Sequence, residues 1–335
     1  MIRALVLFSG GLDSLLACKT LSEQGIEVVP VFFETYFFKA TKARQIAEAN
    51  NLKLQVADLA EEHLQVVKHP CHGRGSAFNP CLDCHALMLK KAGEMMKAGD
   101  SNPPTIPRQA RDKLLIRGAD RFRASRNDNR FDFIATGEVL GQRPMSQNKN
   151  ALRCVEKEAD LEGYLLRPLS AKLLPETIPE KKGLVDRTKL LDISGRGRKR
   201  QLELVKKLGI KKYQTPAGGC LLTEKIYAER LKQLLEKWGD FSGNDAELIR
   251  SGRMFWEGNC LILVGRNQED NERLLASVSA NDYIVELEDC PGPVTVVRGK
   301  GISQKTLNKA EELIRFYATK AKGRKEVRIS HRVME

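Results

Sequence analysis

Six consecutive residues, Ser9-Gly10-Gly11-Leu12-Asp13-Ser14, constrain this chain more than any other segment. They follow residues 3–8 (RALVLF), a run that reads as a buried strand. They open residues 14–24, where Leu15, Leu16, Ala17 and Leu21 recur at helical spacing. Strand, glycine-rich turn and helix together start a parallel α/β unit. The glycines let the backbone approach an anion. The N–H groups of Gly10, Gly11 and the first helical turn can point at it, aided by the helix dipole. Ser9 and Ser14 add hydroxyl donors. Asp13 would repel a bare phosphate, so it implies a bridging Mg²⁺ or a helix cap. A Walker A loop is excluded, because no Lys stands where GxxxxGKS/T requires one.

The alternation continues with a strand at 28–33, a helix at 39–50, a strand at 53–56 and a later strand at 131–135. Sheets of this kind bind ligands at the carboxyl ends of their strands. A loop dense in Cys, His, Gly and Pro fills 69–85, and a helix is expected over 86–97. Residues 100–130, rich in Pro, Arg and Asn, read as a mobile surface insertion. A basic helix is expected over 195–212, followed by the loop TPAGGCLLT. Beyond about residue 224 the pattern changes to a helix at 228–238, strands near 260–264, 283–287 and 294–297, and a helix at 304–319. The expected division is therefore an α/β parallel-sheet domain over 1–223 and a smaller α+β domain over 224–335 with a basic tail.

At 335 residues, 41% hydrophobic, the chain has material for two cores. No apolar run approaches the ~18 residues of a membrane span, and the N-terminal apolar stretch is too short for a signal peptide. A membrane, secreted or disordered protein is thus not expected, and the cytoplasm is the expected compartment. The net charge of +13 calls for a polyanionic partner. Much of it is local. Residues 191–212 hold eight Lys/Arg against two acidic residues, with Arg196, Arg198, Lys199 and Arg200 clustered at the start of the expected helix. Such a cluster neutralises backbone phosphates. With 6% aromatic residues, recognition should rest on shape and backbone more than on wide stacking platforms.

There are eight cysteines. Without a secretion signal they are metal ligands, catalysts or core residues rather than disulfides. Cys81 and Cys84 form a C-x-x-C pair able to share one metal, flank an iron–sulfur cluster or cycle as a redox pair. Cys220 follows two glycines. Cys71, beside His69 and His72, is a further candidate. Cys18 and Cys260 read as packing, and Cys154 and Cys290 have no motif around them.

The hexapeptide SGGLDS resembles the signature of the PP-loop, or N-type ATP pyrophosphatase, superfamily. Taken with NPCLDC (79–84), FIATGEVLGQRPMSQ (133–147) and PAGGCLLT (216–223), it is similar to the tRNA thiolation branch, the 2-thiouridine and 4-thiouridine synthases. LVGRN (263–267) and PGPVTVVRG (291–299) resemble the NFACT-R RNA-binding domain. The resemblance implies ATP and Mg²⁺ bound by Ser9, Gly10, Gly11, Asp13 and Ser14. It places the adenine near Phe32 and Phe33 and makes Thr136 and Gly137 a second nucleotide-facing edge. It implies a 4Fe-4S cluster on Cys81, Cys84 and Cys220, with zinc as the alternative occupant. Typical 2-thiouridine synthetases have Asp where this chain has Cys81; Cys at all three positions favours a cluster on three thiolates, with a persulfide on Cys220 as the other sulfur route.

The implied reaction adenylates a uridine carbonyl oxygen, turning it into a leaving group that sulfur then displaces. Asp13 and Cys220 are its expected catalytic residues, and Arg143 a candidate phosphate contact. The expected partners are tRNA, presenting one flipped uridine, and a sulfur donor, either sulfide or a persulfide carrier. The homodimer is the oligomer to test. Two rival readings are another adenylating synthetase of the same superfamily, and a zinc-stabilised RNA-binding protein with a vestigial nucleotide site.

Overall fold

The computed structural model describes residues 1–98, 130–214, 220–319 and 328–334. The expected insertion, apart from Arg130, and the PAGG stretch before Cys220 lie outside these residues. The chain divides into two compact units, Met1–Gly75 with Pro80–Gly219, and Ser76–Asn79 with Cys220–Glu335.

The first unit contains β1 (Arg3–Leu7), α1 (Leu12–Ser22), β2 (Glu27–Glu34), α2 (Thr41–Ala49), β3 (Gln55–Asp58) and α3 (Ala60–Lys68). It continues with α4 (Cys81–Ala98), β4 (Phe133–Thr136), α5 (Lys149–Glu158), β5 (Leu165–Leu166), α6 (Ile178–Lys181) and α7 (Lys199–Lys207). All five strands are parallel, in the order β3-β2-β1-β4-β5. Both sheet faces are covered, which explains the unbroken apolar run of β1. Ala4, Val6 and Phe8 pack with Leu12, Leu16 and Ile46 on one side. Leu5, Val31 and Phe33 pack with Leu89 and Val155 on the other.

The strand order reverses between β1 and β4, where Leu7 stands opposite Thr136. In such sheets the crevice beyond the strand ends opens at this switch point. The turn Ser9–Gly11 leaves β1 there, and Gly137-Glu138 leaves β4 beside it. A Cβ on Gly137 would lie 2.4 Å from Ser14 N and 2.5 Å from the Asp13 carbonyl carbon. The glycine lets the first turn of α1 rest directly on the exit of β4.

Glu138 ties this exit to the surrounding helices. It accepts from Arg167 Nε at 2.8 Å, from Thr136 Oγ1 at 3.1 Å, and faces His85 Nδ1 of α4 at 3.0 Å. Arg167 also pairs with Glu156 of α5 and donates to the Leu152 carbonyl. Burial disfavours the Glu138 charge, but Arg167 and His85 outweigh it and hold the carboxyl down at about 2.

Several elements depart from the sequence expectation. The helix expected at 86–97 starts at Cys81, so the C-x-x-C pair lies in its first turn and not in a loop. The basic helix spans only Lys199–Lys207. Helices α3 and α5 were not anticipated.

The second unit contains α8 (Lys225–Trp238), α9 (Gly243–Leu248), β6 (Arg253–Glu257), β7 (Cys260–Val264), α10 (Gln268–Ala276), β8 (Tyr283–Leu287), β9 (Thr295–Arg298), α11 (Gln304–Tyr317) and β10 (Ile329–Val333). Its sheet is antiparallel, in the order β10-β8-β9-β7-β6. Helix α11 covers it with Ala310, Leu313 and Ile314 against Ile262, Val264, Val285 and Val297. Residues 76–79 join this unit through Phe78 N–H, which donates to the Leu222 carbonyl at 3.2 Å. Arg298 is held by Asp282 at 2.6 Å and Asp245 at 2.7 Å. Part of the expected basic tail is strand β10, paired with β8. Among the described residues, no helix is long and apolar enough to cross a membrane.

Two outcomes follow from this packing. Gly137→Ala drives a methyl group into the α1 backbone and costs at least about 2 kcal/mol, read as a lowered urea midpoint. A carboxyl lowered from 4.5 to about 2 contributes about 3 kcal/mol above its unfolded value. That stability is lost as pH falls from about 4.5 to about 2. Glu138→Gln should lower stability at pH 7 and flatten its pH dependence across that interval, measured by urea titration at each pH.

Candidate functional site

The turn after β1 is built around Gly10, whose φ of +76° is a conformation L side chains rarely adopt. A Cβ there would also approach Ile46 Cδ1 at 3.2 Å and Ala43 Cα at 3.3 Å. Gly11 is the N-cap residue of α1 and has no capping side chain. The turn is stiffened from within. Ser14 Oγ donates to the Gly11 carbonyl at 2.9 Å and lies 3.3 Å from Ser9 Oγ, which accepts from Gly11 N–H at 3.3 Å. The backbone N–H groups of Gly10 and Asp13 have no acceptor among the described residues. Together with the dipole of α1, they form an anion cradle at the switch point.

Asp13 does not cap its own helix. Its Oδ2 accepts from Gln142 Nε2 at 3.0 Å, while its Oδ1 is buried with no hydrogen-bond partner. A buried, unpartnered carboxylate oxygen beside an anion cradle is suited to a hard divalent cation carrying phosphate oxygens. The residues present therefore fit Mg²⁺ with a nucleotide triphosphate.

Gln142 is fixed by its loop. Gly141 N–H donates to the Gln147 carbonyl at 2.7 Å, and Gln147 N–H to the Arg143 carbonyl at 2.8 Å. Within GQRPMSQ it is thus Gln142 that reaches Asp13, whereas the Arg143 side chain is exposed. Thr136 is 4% exposed and bound to Glu138, and Gly137 packs on α1. Phe33 is 3% exposed, in the core beneath α4. Phe32, 7% exposed, lies on the α1 side of the sheet.

The basic segment is anchored beside the turn at both ends. Gly195 N–H donates to the Leu140 carbonyl at 2.8 Å, two residues before Gln142. Gln214 N–H donates to the Gly10 carbonyl at 2.9 Å. Between these anchors Arg196, Lys199 and Arg200 are exposed and Arg198 is half-buried. Arg200 pairs with Asp192.

Cys81 and Cys84 lie one turn apart at the N-terminus of α4, a spacing that suits two ligands on one metal group. Cys84 is 8% exposed, and its Sγ lies 2.9 Å from His63 Nε2 of α3. Burial lowers the His63 pKa to about 4, so the imidazole is neutral at pH 7. Cys220 belongs to the second unit, where its carbonyl accepts from Thr223 Oγ1 at 2.6 Å. His63, Gln142 and Glu138 were not singled out in the sequence. Only Gln142 and Glu138 carried a signal, since they lie inside the motif FIATGEVLGQRPMSQ.

Residues 252–335 match the family model described as NFACT protein RNA binding domain. The chain is 34% identical over 105 residues to a tRNA-specific 2-thiouridylase, MnmA 3, of Phocaeicola vulgatus. That match covers 27% of this chain and 28% of the relative, so the chain spans well under a third of that protein's length. Among solved structures, a predicted subunit of tRNA methyltransferase from Methanocaldococcus jannaschii aligns at 13% identity, over 62% of this chain and 76% of that one, with a TM-score of 0.35. The C-terminal part of a fibronectin/fibrinogen-binding protein from Streptococcus suis aligns at 17% identity, over 56% of this chain and 65% of that one, with a TM-score of 0.23. This chain is thus similar over 105 residues to a tRNA-specific 2-thiouridylase, and its residues 252–335 match the NFACT RNA-binding domain model.

Proposed function

We propose that this protein is an ATP-dependent tRNA sulfurtransferase. The observation that carries the reading is Asp13 in the first turn of α1, whose Oδ1 is buried without a hydrogen-bond partner while Gln142 fixes its other oxygen. In this reading the N–H groups of the turn and Ser9 hold the triphosphate, and Asp13 holds Mg²⁺ against it. The cation and the N-terminus of α1 stabilise charge on the departing pyrophosphate. The uridine carbonyl oxygen attacks the α-phosphorus, and the adenylated oxygen later leaves as AMP. Sulfide supplies the electron pair for the new C–S bond, so that route needs no oxidant. Water must be kept away, because hydrolysis of the adenylate competes.

Cys81 and Cys84, one turn apart at the start of α4, would supply thiolates to the 4Fe-4S cluster that the resemblance implies, which when bound supplies an open iron for the sulfur nucleophile. Zinc is the alternative occupant of the same thiolates, and a persulfide on Cys220 the alternative sulfur route. The basic segment between Gly195 and Gln214 gives tRNA phosphates a docking surface beside the adenylation turn. The C-terminal RNA-binding domain match supports RNA as the partner, and the name of the curated relative supports thiolation as the reaction. The intact Asp13 and serines favour an enzyme over a vestigial nucleotide site, and the cytoplasm is the compartment that this substrate implies.

The test uses the full chain, purified anaerobically, with ATP, bulk tRNA and sulfide. Asp13→Ala should abolish tRNA-dependent pyrophosphate release. Cys220→Ser should leave pyrophosphate release intact while stopping sulfur incorporation into tRNA. Pyrophosphate release that persists in Asp13→Ala would remove the turn from the reaction.

A further inference from the structure

A second cluster of chemistry-bearing side chains forms where the loop after α3 meets α5. His72 comes from the Cys- and His-rich loop, and Cys154 and Glu158 from one face of α5, four residues apart. His72 is oriented from behind. Its Nδ1 lies 3.0 Å from Asp83 Oδ1, and Asp83 is buried. That carboxylate also accepts from the backbone N–H groups of Cys71 at 3.1 Å and His72 at 3.2 Å. An ionised carboxylate can only accept, so His72 Nδ1 carries the proton and donates. The opposite nitrogen, Nε2, faces the Glu158 carboxylate of α5, so a metal bound there takes the place of a proton.

At that nitrogen three different donors converge. His72 Nε2 is 3.0 Å from Glu158 Oε1 and 3.6 Å from Cys154 Sγ, and the sulfur is 3.8 Å from Glu158 Oε1. Zinc binds nitrogen at about 2.0–2.1 Å, carboxylate oxygen at about 2.0–2.2 Å and sulfur at about 2.3 Å. A tetrahedral arrangement at those lengths has an N–O edge of about 3.4 Å and S–N and S–O edges of about 3.6 Å. The observed edges reproduce this triangle within about 0.4 Å. An imidazolium bridging two carboxylates would explain Asp83 and Glu158. With the thiol donating to Glu158, that is the arrangement of the same three groups without a metal, and an ion would replace the two protons between them.

We propose that His72 Nε2, Cys154 Sγ and the Glu158 carboxylate bind one Zn²⁺, with Asp83 as the positioning residue for the imidazole and water in the fourth position. A thiolate in the set disfavours Mg²⁺ and Ca²⁺, which take oxygen ligands, and a mixed nitrogen, sulfur and oxygen set suits zinc. The site is separate from the C-x-x-C thiols, but Asp83 stands between Cys81 and Cys84. The ion therefore pins the Cys-rich loop to α5 and steadies the helical turn that carries both thiols. The proposal is independent of the sulfurtransferase reading.

The test is made on the full chain carrying Cys81→Ser, Cys84→Ser and Cys220→Ser, which removes the other thiolate site. Titrated with Zn²⁺ against a chromophoric chelator, it should bind one ion. Co²⁺ in place of zinc should give the near-ultraviolet band of a single thiolate ligand. Adding Cys154→Ala or His72→Ala should weaken binding at least about 100-fold and, for Cys154→Ala, abolish that band. Asp83→Asn should weaken binding about 10- to 100-fold. No zinc in the triple variant, or zinc unaffected by Cys154→Ala and His72→Ala, overturns the proposal. Far-ultraviolet circular dichroism checks folding. If the triple variant does not fold, the same two substitutions in the otherwise native chain decide the matter. Each should lower bound zinc by one ion per chain, and an unchanged stoichiometry overturns the proposal equally.

Discussion

The first unit depends on one close approach, the backbone of α1 resting on Gly137 where β4 ends. That contact exists because β1 and β4 are parallel neighbours at the point where the strand order reverses, and because Gly137 has no Cβ to hold the helix away. It places the start of α1, with its unsatisfied N–H groups and Asp13, beside the loop that delivers Gln142. The next residue, Glu138, extends the same exit sideways into Arg167, α5 and His85 of α4. The glycine-rich turn and the helix carrying Cys81 and Cys84 thus meet at one network around Glu138, whose carboxylate stays ionised through neutral pH.

Much of this was legible in the sequence because it is local. The alternation of apolar strands and helices gave the parallel sheet, and the glycines and Asp13 gave the turn. What was missed depends on distance. Gln142 and Arg143 are adjacent in one motif, and only the closure of loop 141–147 decides which of them meets Asp13. His63 lies on a short helix whose charged residues hide its buried face, and its partner Cys84 is 21 residues away. Glu138 looked like one more acidic residue until folding brought Arg167 to it. The start of α4 is hidden because residues 69–85 are rich in the Gly, Pro and polar residues of loops, although Asp83 in the first turn favours a helix start. The basic tail hid β10, a short polar strand that pairs with β8 and packs only Ile329 against the core among its described residues.

The excess positive charge has a clear structural place in the segment strapped from Leu140 to Gly10. It runs beside the glycine-rich turn, so in the proposed reaction a phosphate backbone drawn to Arg196, Arg198 and Lys199 would lie next to that turn. The cysteines separate by environment. Cys18 and Cys260 are core residues. Cys81 and Cys84 stand at a helix start suited to sulfur or metal chemistry. Cys154, silent in the sequence, lies one turn from Glu158 on α5 and meets His72 only when the loop folds against that helix.

The central claim is that adenylation at the SGG turn ends in sulfur on a tRNA uridine. The most direct measurement is quantitative mass spectrometry of tRNA nucleosides from a strain of the source organism lacking this protein, complemented with the native chain or with Asp13→Ala. The account predicts that one thiolated uridine disappears, returns with the native chain and does not return with Asp13→Ala. An unchanged set of thiolated nucleosides in the deletion strain would contradict it.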